Sequence, residues 1–548
     1  MTAAVAPSEG CDRVLLVLLC LALYLPGLTA LPPVDRDEAR FAQATKQMLE
    51  NADFVRPRFQ TAARFNKPIG IYWMQALAVA LSGARRFAIW PYRLPSVFGA
   101  VAAVLLTQSV GRWLFDRRTA RLGAALLASS ALLVVEAHLA TTDAVLLACV
   151  VGAHACLAAL YAAWRSRERV SGAYAAGFWV AQGLGILVKG PVVPLVSGLT
   201  LGGLALLDRR WPAVALHWRW GVGLLLAMVL PWGVAVGMQT DWTFFAAWIG
   251  GDLVPKLVGG QESHGAPPGV YLLLVALTFW PASCAVGFGL WRAIRHRSET
   301  AERFCLAWIV PTWLFFEAVP TKLPHYVLPV YPALALLVAR AVLSPSELLP
   351  MLRHSVVRGA LLLWGGLTCA VAGVVLFSAL RWGSGISYAS VAAAGAVVAV
   401  GIVCVQQLWG GQPLRAAWMA VAGGVVIAGL LWQRVLPDLQ AVWLSRAVGV
   451  AVAERGGAAR PLAAVGYHEP SLVFLVGTGT ALVDAERGAV FLREQPAGLV
   501  VVSDDQVEQF QRAAVALGIH PRELWSIDGI NYSKGRRTRL QLFEAASG

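Results

Sequence analysis

Long apolar runs recur along most of the chain and are separated by short polar stretches. A helix needs about 20 mostly apolar residues to cross the hydrocarbon core of a bilayer, and thirteen runs come near that length. They lie at residues 14–31, 94–111, 122–139, 143–163, 173–188, 190–207, 220–237, 269–291, 304–319, 325–343, 359–380, 386–407 and 416–433. The first run has only Arg13 before it and no convincing cleavage site after it, so we interpret it as a retained span. This pattern predicts a polytopic α-helical membrane protein.

One more apolar stretch, Ile69 to Leu81, is too short to cross comfortably and carries Tyr72, Trp73 and Gln75. We therefore predict an interfacial helix inside a long first outer loop, residues 32–93. The charges agree, because short cytoplasmic loops collect Lys and Arg. With the N-terminus inside, the inner loops hold Arg112, Arg117, Arg118, Arg121, Arg165, Arg167, Arg169, Arg209, Arg210, Arg219, Arg292, Arg295, Arg297, Arg303, Arg353, Arg358 and Arg415. The outer short loops hold only Lys189, Lys256, Lys322 and Arg381.

The pattern becomes that of a soluble protein after about Leu436. Strand-like and helix-like segments alternate there, which predicts a small α/β domain. These segments are Leu462 to Val465, Pro470 to Leu475, Leu499 to Val502 and Asp505 to Leu517. We therefore predict a transmembrane domain over residues 1–436 and a soluble domain over residues 437–548, which an odd number of spans places outside. No glycine-rich nucleotide motif opens any of its helices.

The composition supports the membrane prediction. The chain has 548 residues, of which 58% are hydrophobic and 14% are charged, and its mean hydropathy is +0.63. This is more apolar surface than a soluble protein can cover, so a soluble enzyme, a disordered protein and a disulfide-rich secreted domain are excluded. The net charge of +14 reflects arginines that set orientation, and we expect membrane lipids as partners but no nucleic acid. None of the eight cysteines forms a CxxC pair.

Chemically mixed side chains collect at the predicted outer ends of the spans. They are Asp35, Asp37, Glu38, Arg40, Lys67, Asp143, Lys189, His264, Lys322, His325 and Tyr326. Ionisable groups at membrane depth are costly, so this concentration indicates an active site. Simpler roles stay open: Asp37, Glu38 and Asp143 are also suited to helix capping, and Lys67 or the segment from Lys322 to Tyr326 to interface anchoring. Since no ATP or nucleotide sugar is available outside the cytoplasmic membrane, a transferase there needs a lipid-phosphate donor.

Five short motifs, in this order, resemble the bacterial aminoarabinose transferase (ArnT) type of membrane glycosyltransferase. They are Asp37-Glu38-x-Arg40, Arg64-x-x-Lys67-Pro68, Thr142-Asp143, Lys189-Gly190 and Lys322-Leu323-Pro324-x-Tyr326. That family belongs to the GT-C superfamily and is related to the protein O-mannosyltransferases. The resemblance covers about residues 10 to 345, and it implies a GT-C fold with about thirteen spans.

The resemblance also implies an activity and roles for residues. The family transfers a sugar from an undecaprenyl-phosphate donor to lipid A, or another glycolipid, at the periplasmic face of the inner membrane. By matching position, the catalytic carboxylates would be Asp37, Glu38 and Asp143. Donor and acceptor phosphates would be bound by Arg40, Arg64, Lys67, Lys189, Lys322 and Tyr326. The resemblance leaves room for a divalent metal at His264, but Asn66 stands where the family often has a glutamate, which weakens that site.

Other functions remain open from the sequence. A different sugar, such as a uronic acid, would also suit the arginines of the first loop. A protein hydroxyl as acceptor would give an enzyme like the O-mannosyltransferases. A lipid transporter is a third hypothesis, but it predicts mid-span charges and inverted repeats, and neither is visible.

Overall fold

The computed structural model describes residues 7–212, 214–255, 265–457 and 460–546. Most of these residues are helical. Before the C-terminal region the helices are α1 Pro7–Tyr24, α2 Asp37–Asn51, α3 Gly70–Ser82, α4 Trp90–Leu114, α5 Arg117–Ala128, α6 Ala131–Ala137, α7 Asp143–Ser166, α8 Ala173–Lys189, α9 Val192–Asp208, α10 Trp218–Gln239, α11 Thr243–Ala247, α12 Val270–Thr278, α13 Val286–Arg295, α14 Thr300–Ala318, α15 Tyr331–Val342, α16 Pro345–Leu352, α17 Ser355–Trp382, α18 Tyr388–Trp409 and α19 Pro413–Leu430. A short hairpin joins β1 Arg58–Phe59 to β2 Ala62–Ala63, and a 3₁₀ helix, Pro324–Val330, precedes α15.

Each apolar run predicted from the sequence coincides with one helix or with consecutive helices. Within the described ranges, seven helical segments are long and apolar enough to cross a membrane, or eight if the bent pair α5 and α6 is one span. The membrane character and the helical fold are therefore confirmed.

Several boundaries differ from the prediction for physical reasons. Helix α1 ends at Tyr24 rather than near Leu31, because Pro26 lacks an amide donor and Gly27 has φ of 83°. The predicted straight span 122–139 is instead two helices that meet at 62°. The hydroxyls of Ser129 and Ser130 donate to backbone carbonyls of the preceding turn, which ends α5 there.

The first outer loop is folded onto the bundle. The predicted interfacial segment forms α3, which packs against α2, α4 and α8. Ile69, Ile71 and Tyr72 are fully buried, whereas Leu77 and Leu81 are exposed. The helix therefore has one face on the protein and an apolar face open to its surroundings.

Arginines of different predicted inner loops share acidic partners. Asp208 accepts hydrogen bonds from Arg303, from Arg165 at 3.2 Å and from Tyr161 at 2.9 Å. Arg117 pairs with Asp12 at 2.5 Å. A further pair joins Arg340 to Asp116 at 3.1 Å. These contacts gather the predicted inner loops at one end of the bundle.

The C-terminal region forms a five-stranded mixed sheet in the order β4-β3-β5-β7-β6. Its strands are β3 Leu462–Val465, β4 Ala481–Val483, β5 Leu499–Ser503, β6 Pro521–Asn531 and β7 Arg536–Ala545, and its helices are α20 Leu444–Ala453, α21 Pro470–Val476, α22 Ala485–Glu494 and α23 Val507–Ala516. The central strands β3 and β5 are parallel, and every residue of both is buried. They read as unbroken apolar runs because alternate residues enter separate cores on the two faces of the sheet.

Candidate active site

A polar cavity of about 500 Å³ opens at the end of the bundle opposite the shared acidic partners. The N-terminal ends of α2 and α7, the C-terminal end of α8 and the 3₁₀ helix before α15 meet there. Its lining residues are Val34, Asp35, Arg36, Asp37, Glu38, Arg40, Phe41, Arg64, Asn66, Lys67, Glu136, Leu139, Thr141, Thr142, Asp143, Lys189, Gly251, Thr321, Leu323, His325 and Tyr326. Nearly all site residues predicted from the sequence therefore meet in one place.

Asp37 is the first residue of α2, and it is exposed to the cavity. The residue before it, Arg36, has φ of 68° and ψ of −104° and provides no side-chain cap. The carboxylate of Asp37 is thus open to a ligand, and its place in the first turn of α2 also suits the helix dipole.

Glu38 has a different environment, because it is buried and fully engaged. Its carboxylate receives two hydrogen bonds from the guanidinium of Arg93, at 2.8 and 2.9 Å. It also accepts from the backbone amides of Val34 and Ala140, both at 2.8 Å. Arg93 uses its remaining donors on the carbonyls of Leu28, Leu31 and Pro32. Because its carboxylate is bonded to Arg93 and to two backbone amides, we expect Glu38 to hold the wall of the cavity in place rather than to act on a substrate.

Asp143 begins α7 and is buried. Its carboxylate pairs with the ammonium of Lys189 at 2.5 Å, so it is a partner of the lysine and not a helix cap. His325 lies between two carboxylates, 3.8 Å from Asp143 and 3.5 Å from Glu136. The hydroxyl of Thr141 donates to the other oxygen of Glu136 at 3.0 Å. Two acids, an imidazole and an ammonium thus form one connected cluster.

The other predicted cations line the cavity from the predicted first outer loop, residues 32–93. Arg64 is buried and donates to the hydroxyl of Tyr72 at 3.2 Å, and its guanidinium lies 5.0 Å from the ring centre of Phe41. Arg40 and Lys67 are partly exposed and also line the cavity. These contacts hold Arg64 in place at the wall of the cavity.

Lys322 is the described candidate that the structure keeps out of the cavity. Its ammonium donates to the carbonyls of Phe316, Glu317 and Val319. These are unpaired carbonyls at the C-terminal end of α14, where a cation is favourable. Burial lowers the pKa of Lys322. Lys322 therefore caps α14, in place of the phosphate binding that was predicted for it. Its neighbours Thr321 and Leu323 line the cavity instead.

An apolar groove of about 410 Å³ adjoins the polar cavity. Lys67, Asp143, Lys189, His325 and Tyr326 line both spaces. The other residues of the groove are Leu146, Pro191, Val192, Leu195, Trp248, Phe315, Phe316, Val319 and Pro329. The ammonium of Lys189 lies 6.0 Å from the ring centre of Tyr326. These charged groups therefore lie at the boundary between the polar cavity and the apolar groove.

The predicted metal ligand His264 lies outside the described residues. Among the residues that are described, no group of three or more His, Cys, Asp and Glu side chains is arranged to hold a metal ion. Asn66, which lines the cavity, supplies an amide in place of a carboxylate. The divalent metal stays a prediction, and no step of the chemistry is derived through it.

Sequence reasoning missed Glu136 and Arg93. Glu136 was counted within an apolar span, although a glutamate in such a run is itself a signal of function. Arg93 carries no local signal, because its importance comes from Glu38, 55 residues away in the chain. His325 is among the outer side chains that the sequence singles out, but its contacts with Glu136 and Asp143 carry no local signal.

Comparison with known proteins gives the fold a family context. The family described as dolichyl-phosphate-mannose-protein mannosyltransferase matches residues 66–234. The undecaprenyl phosphate-alpha-4-amino-4-deoxy-L-arabinose arabinosyl transferase of Pseudomonas paraeruginosa is 31% identical over 335 residues, which are 59% of each chain. The Yersinia pestis protein of that name is 26% identical over 378 residues, 65% of this chain and 64% of the relative.

The crystal structure of apo ArnT from Cupriavidus metallidurans superposes on this chain with a TM-score of 0.73 and 20% identity, covering 98% of both chains. The chain has the fold of that ArnT. The structure of that ArnT bound to undecaprenyl phosphate gives a TM-score of 0.70 over 98% of both chains. The archaeal oligosaccharyltransferase AglB from Archaeoglobus fulgidus gives 0.51, with 12% identity over 91% of this chain and 69% of that one. The ArnT-like resemblance of the sequence motifs is thereby confirmed, although the match spans only 59% of the length of the Pseudomonas relative.

Proposed function

We propose that the protein is an integral-membrane glycosyltransferase that moves a sugar from a polyprenyl-phosphate carrier, undecaprenyl phosphate, to an envelope glycolipid. This proposal rests on the five residues that line both the polar cavity and the apolar groove, which are Lys67, Asp143, Lys189, His325 and Tyr326. A lipid-linked sugar has the same division, with an apolar chain, a phosphate and a polar sugar in that order. The relatives named for this reaction and the ArnT bound to undecaprenyl phosphate support the choice of donor.

In this proposal each part of the donor has its own environment. The polyprenyl chain lies in the groove, the phosphate lies against Lys67, Lys189 and Tyr326, and the sugar lies in the cavity near Asp37. The acceptor displaces the phosphate at the anomeric carbon. Charge that develops on the departing phosphate is stabilised by preorganised cations in a site of low dielectric constant. Arg40 and Arg64 are suited to the acceptor phosphate because guanidinium binds phosphate through paired hydrogen bonds.

The carboxylates of Asp143 and Asp37 have different roles in this proposal. Asp143 holds Lys189 beside the leaving phosphate through their 2.5 Å contact. If the acceptor is a hydroxyl, Asp37 removes its proton; if it is an ionised phosphate, Asp37 orients it or stabilises positive charge on the sugar.

The acceptor and the compartment are part of the proposal. We infer lipid A, or a related glycolipid, as acceptor, with thirteen spans, the cavity at the periplasmic face of the inner membrane and residues 437–548 as a periplasmic domain. The arginine asymmetry supports this orientation. Mass spectrometry of lipid A from cells with and without the protein tests the acceptor. Unmodified lipid A together with newly glycosylated periplasmic protein would favour a protein hydroxyl instead.

The decisive variant is Asp37→Asn. It keeps the size of the side chain and removes its charge, and we expect transfer to fall roughly 1,000-fold, within the range for a general acid or base, with expression and membrane insertion unchanged. Asp241→Asn is a matched control, since Asp241 is exposed in another outer loop and does not line the cavity. Full transfer by Asp37→Asn in purified enzyme would refute the assignment.

A further inference from the structure

The C-terminal region contacts the two residues that precede Asp37. The backbone amide of Asp35 donates to the hydroxyl of Tyr532 at 2.6 Å. The guanidinium of Arg36 donates to the carbonyl of Ser533. The backbone amide of Ser471 donates to the carboxylate of Asp35 at 2.9 Å. The segment that leads into the cavity is thus held by residues more than 430 positions away in the chain.

Arg36 has a backbone conformation that a residue with a side chain rarely adopts, with φ of 68° and ψ of −104°. Such a conformation persists only where surrounding contacts impose it. The hydrogen bonds to the C-terminal region are made by Arg36 itself and by Asp35, the residue before it. Because Asp37 is the next residue, the Arg36 dihedrals set the direction in which α2 and its first carboxylate leave the loop.

The same interface has a second part farther along α2. The hydroxyl of Thr478 accepts from Gln43 at 2.8 Å and donates to Glu50 at 2.7 Å. The ammonium of Lys46 donates to the carbonyl of Phe474 at 3.0 Å. These contacts dock the C-terminal region on the helix without touching the residues next to the cavity. Contacts that only dock the C-terminal region on α2 can therefore be compared with contacts that position the residues before Asp37.

We propose that the C-terminal region is a positioning element of the active site, in which Tyr532 and Ser471 hold Asp35, and Ser533 holds Arg36, so that Asp37 faces the cavity. This inference rests on the proposed function for the role of Asp37. It gives the soluble region a task in the transfer reaction itself. Tyr532 and Ser471 act through Asp37, so they are positioning residues.

Tyr532→Phe tests the proposal in the full-length enzyme. It removes the hydroxyl that accepts from Asp35 and keeps the ring that packs against Trp443, whose centre is 6.2 Å away. We expect kcat to fall about tenfold with the donor KM unchanged, because a small displacement of a reacting group costs rate more than binding. Thr478→Val removes a hydroxyl at the second part of the interface and should leave kcat within about twofold.

Hydrogen–deuterium exchange gives a readout that does not depend on activity. Tyr532→Phe should speed exchange of the amides of residues 35–37, and Thr478→Val should not. Unchanged kcat and unchanged exchange in Tyr532→Phe would overturn the proposal. Equal loss of kcat and of thermal stability in both variants would also overturn it, because the contacts would then serve docking alone. Failure of the proposed function itself appears separately, as an active Asp37→Asn enzyme.

Discussion

Asp37 and Glu38 are neighbours in the sequence, and their side chains have opposite surroundings. One carboxylate is exposed to the cavity, and the other is 2% exposed and bonded to Arg93 and two backbone amides. A buried charge that loses its partner is costly, whereas an exposed charge can be removed at little cost to stability. The two positions should therefore respond differently to the same kind of substitution.

Glu38→Gln is expected to destabilise the fold. The amide leaves the guanidinium of Arg93 without a countercharge, at a cost of about 3 kcal/mol. The midpoint of thermal unfolding in detergent measures this, with Asp37→Asn as the control that keeps its stability. A Glu38→Gln enzyme that unfolds normally but no longer transfers sugar would restore a catalytic role to Glu38.

Single residues also show how far the sequence could predict the site. The order of the motifs and the side of each loop correctly grouped Asp37, Lys67, Asp143 and Lys189 at one cavity. A local sequence pattern does not show in which direction a side chain points, so Lys322 is predicted to bind a phosphate although it caps α14. Partners distant in sequence are fixed only by tertiary packing, which no local pattern reports.

At the scale of elements, helices α7, α9 and α14 and the 3₁₀ helix before α15 form the apolar groove. Their apolar runs were predictable, because length and hydropathy determine them. The breaks were harder to predict, since the bend between α5 and α6 depends on two serine hydroxyls inside an otherwise apolar segment. The groove itself arises from how these helices pack and has no sequence pattern of its own.

Leu195→Trp tests whether the groove holds the lipid chain of the donor. The larger side chain fills part of the groove on α9, and we expect the donor KM to rise about tenfold, equivalent to about 1.4 kcal/mol. Leu206→Trp is the matched control, since Leu206 lies on the same helix and is 80% exposed. A donor titration in which both variants behave like the unmodified enzyme would place the lipid chain elsewhere.

Across the whole molecule, the bundle and the C-terminal region meet around a partly buried acid, Asp35. Burial, with a smaller contribution from Glu469, raises the pKa of Asp35 to about 7, although the hydrogen bond from Ser471 and the charge of Arg40 act in the opposite direction. The phenols of Tyr467 and Tyr532 face the same group. The interface thus favours the neutral, protonated form of the Asp35 carboxyl.

The stability of this interface should therefore fall as the pH rises. The unfolded pKa of Asp35 is near 3.8 and the folded value is about 7, so its contribution is fully present below about pH 4 and is lost as the pH rises to 7. Asp35→Asn cannot ionise and should flatten this part of the profile. Thermal unfolding of both proteins from pH 5 to 8 measures the difference, and identical slopes would contradict the prediction.

The shared acids at the opposite end of the bundle have a mechanical consequence. Asp208 fastens α7, α9 and α14 together through Arg165 and Arg303, and Asp116 fastens α15 to the start of α5. If a bulky amphiphile spreads these helices as it enters the cavity, the ion pairs hold them together at the far end. The helices should accordingly move most at the mouth of the cavity and least at the arginine-rich end of the bundle.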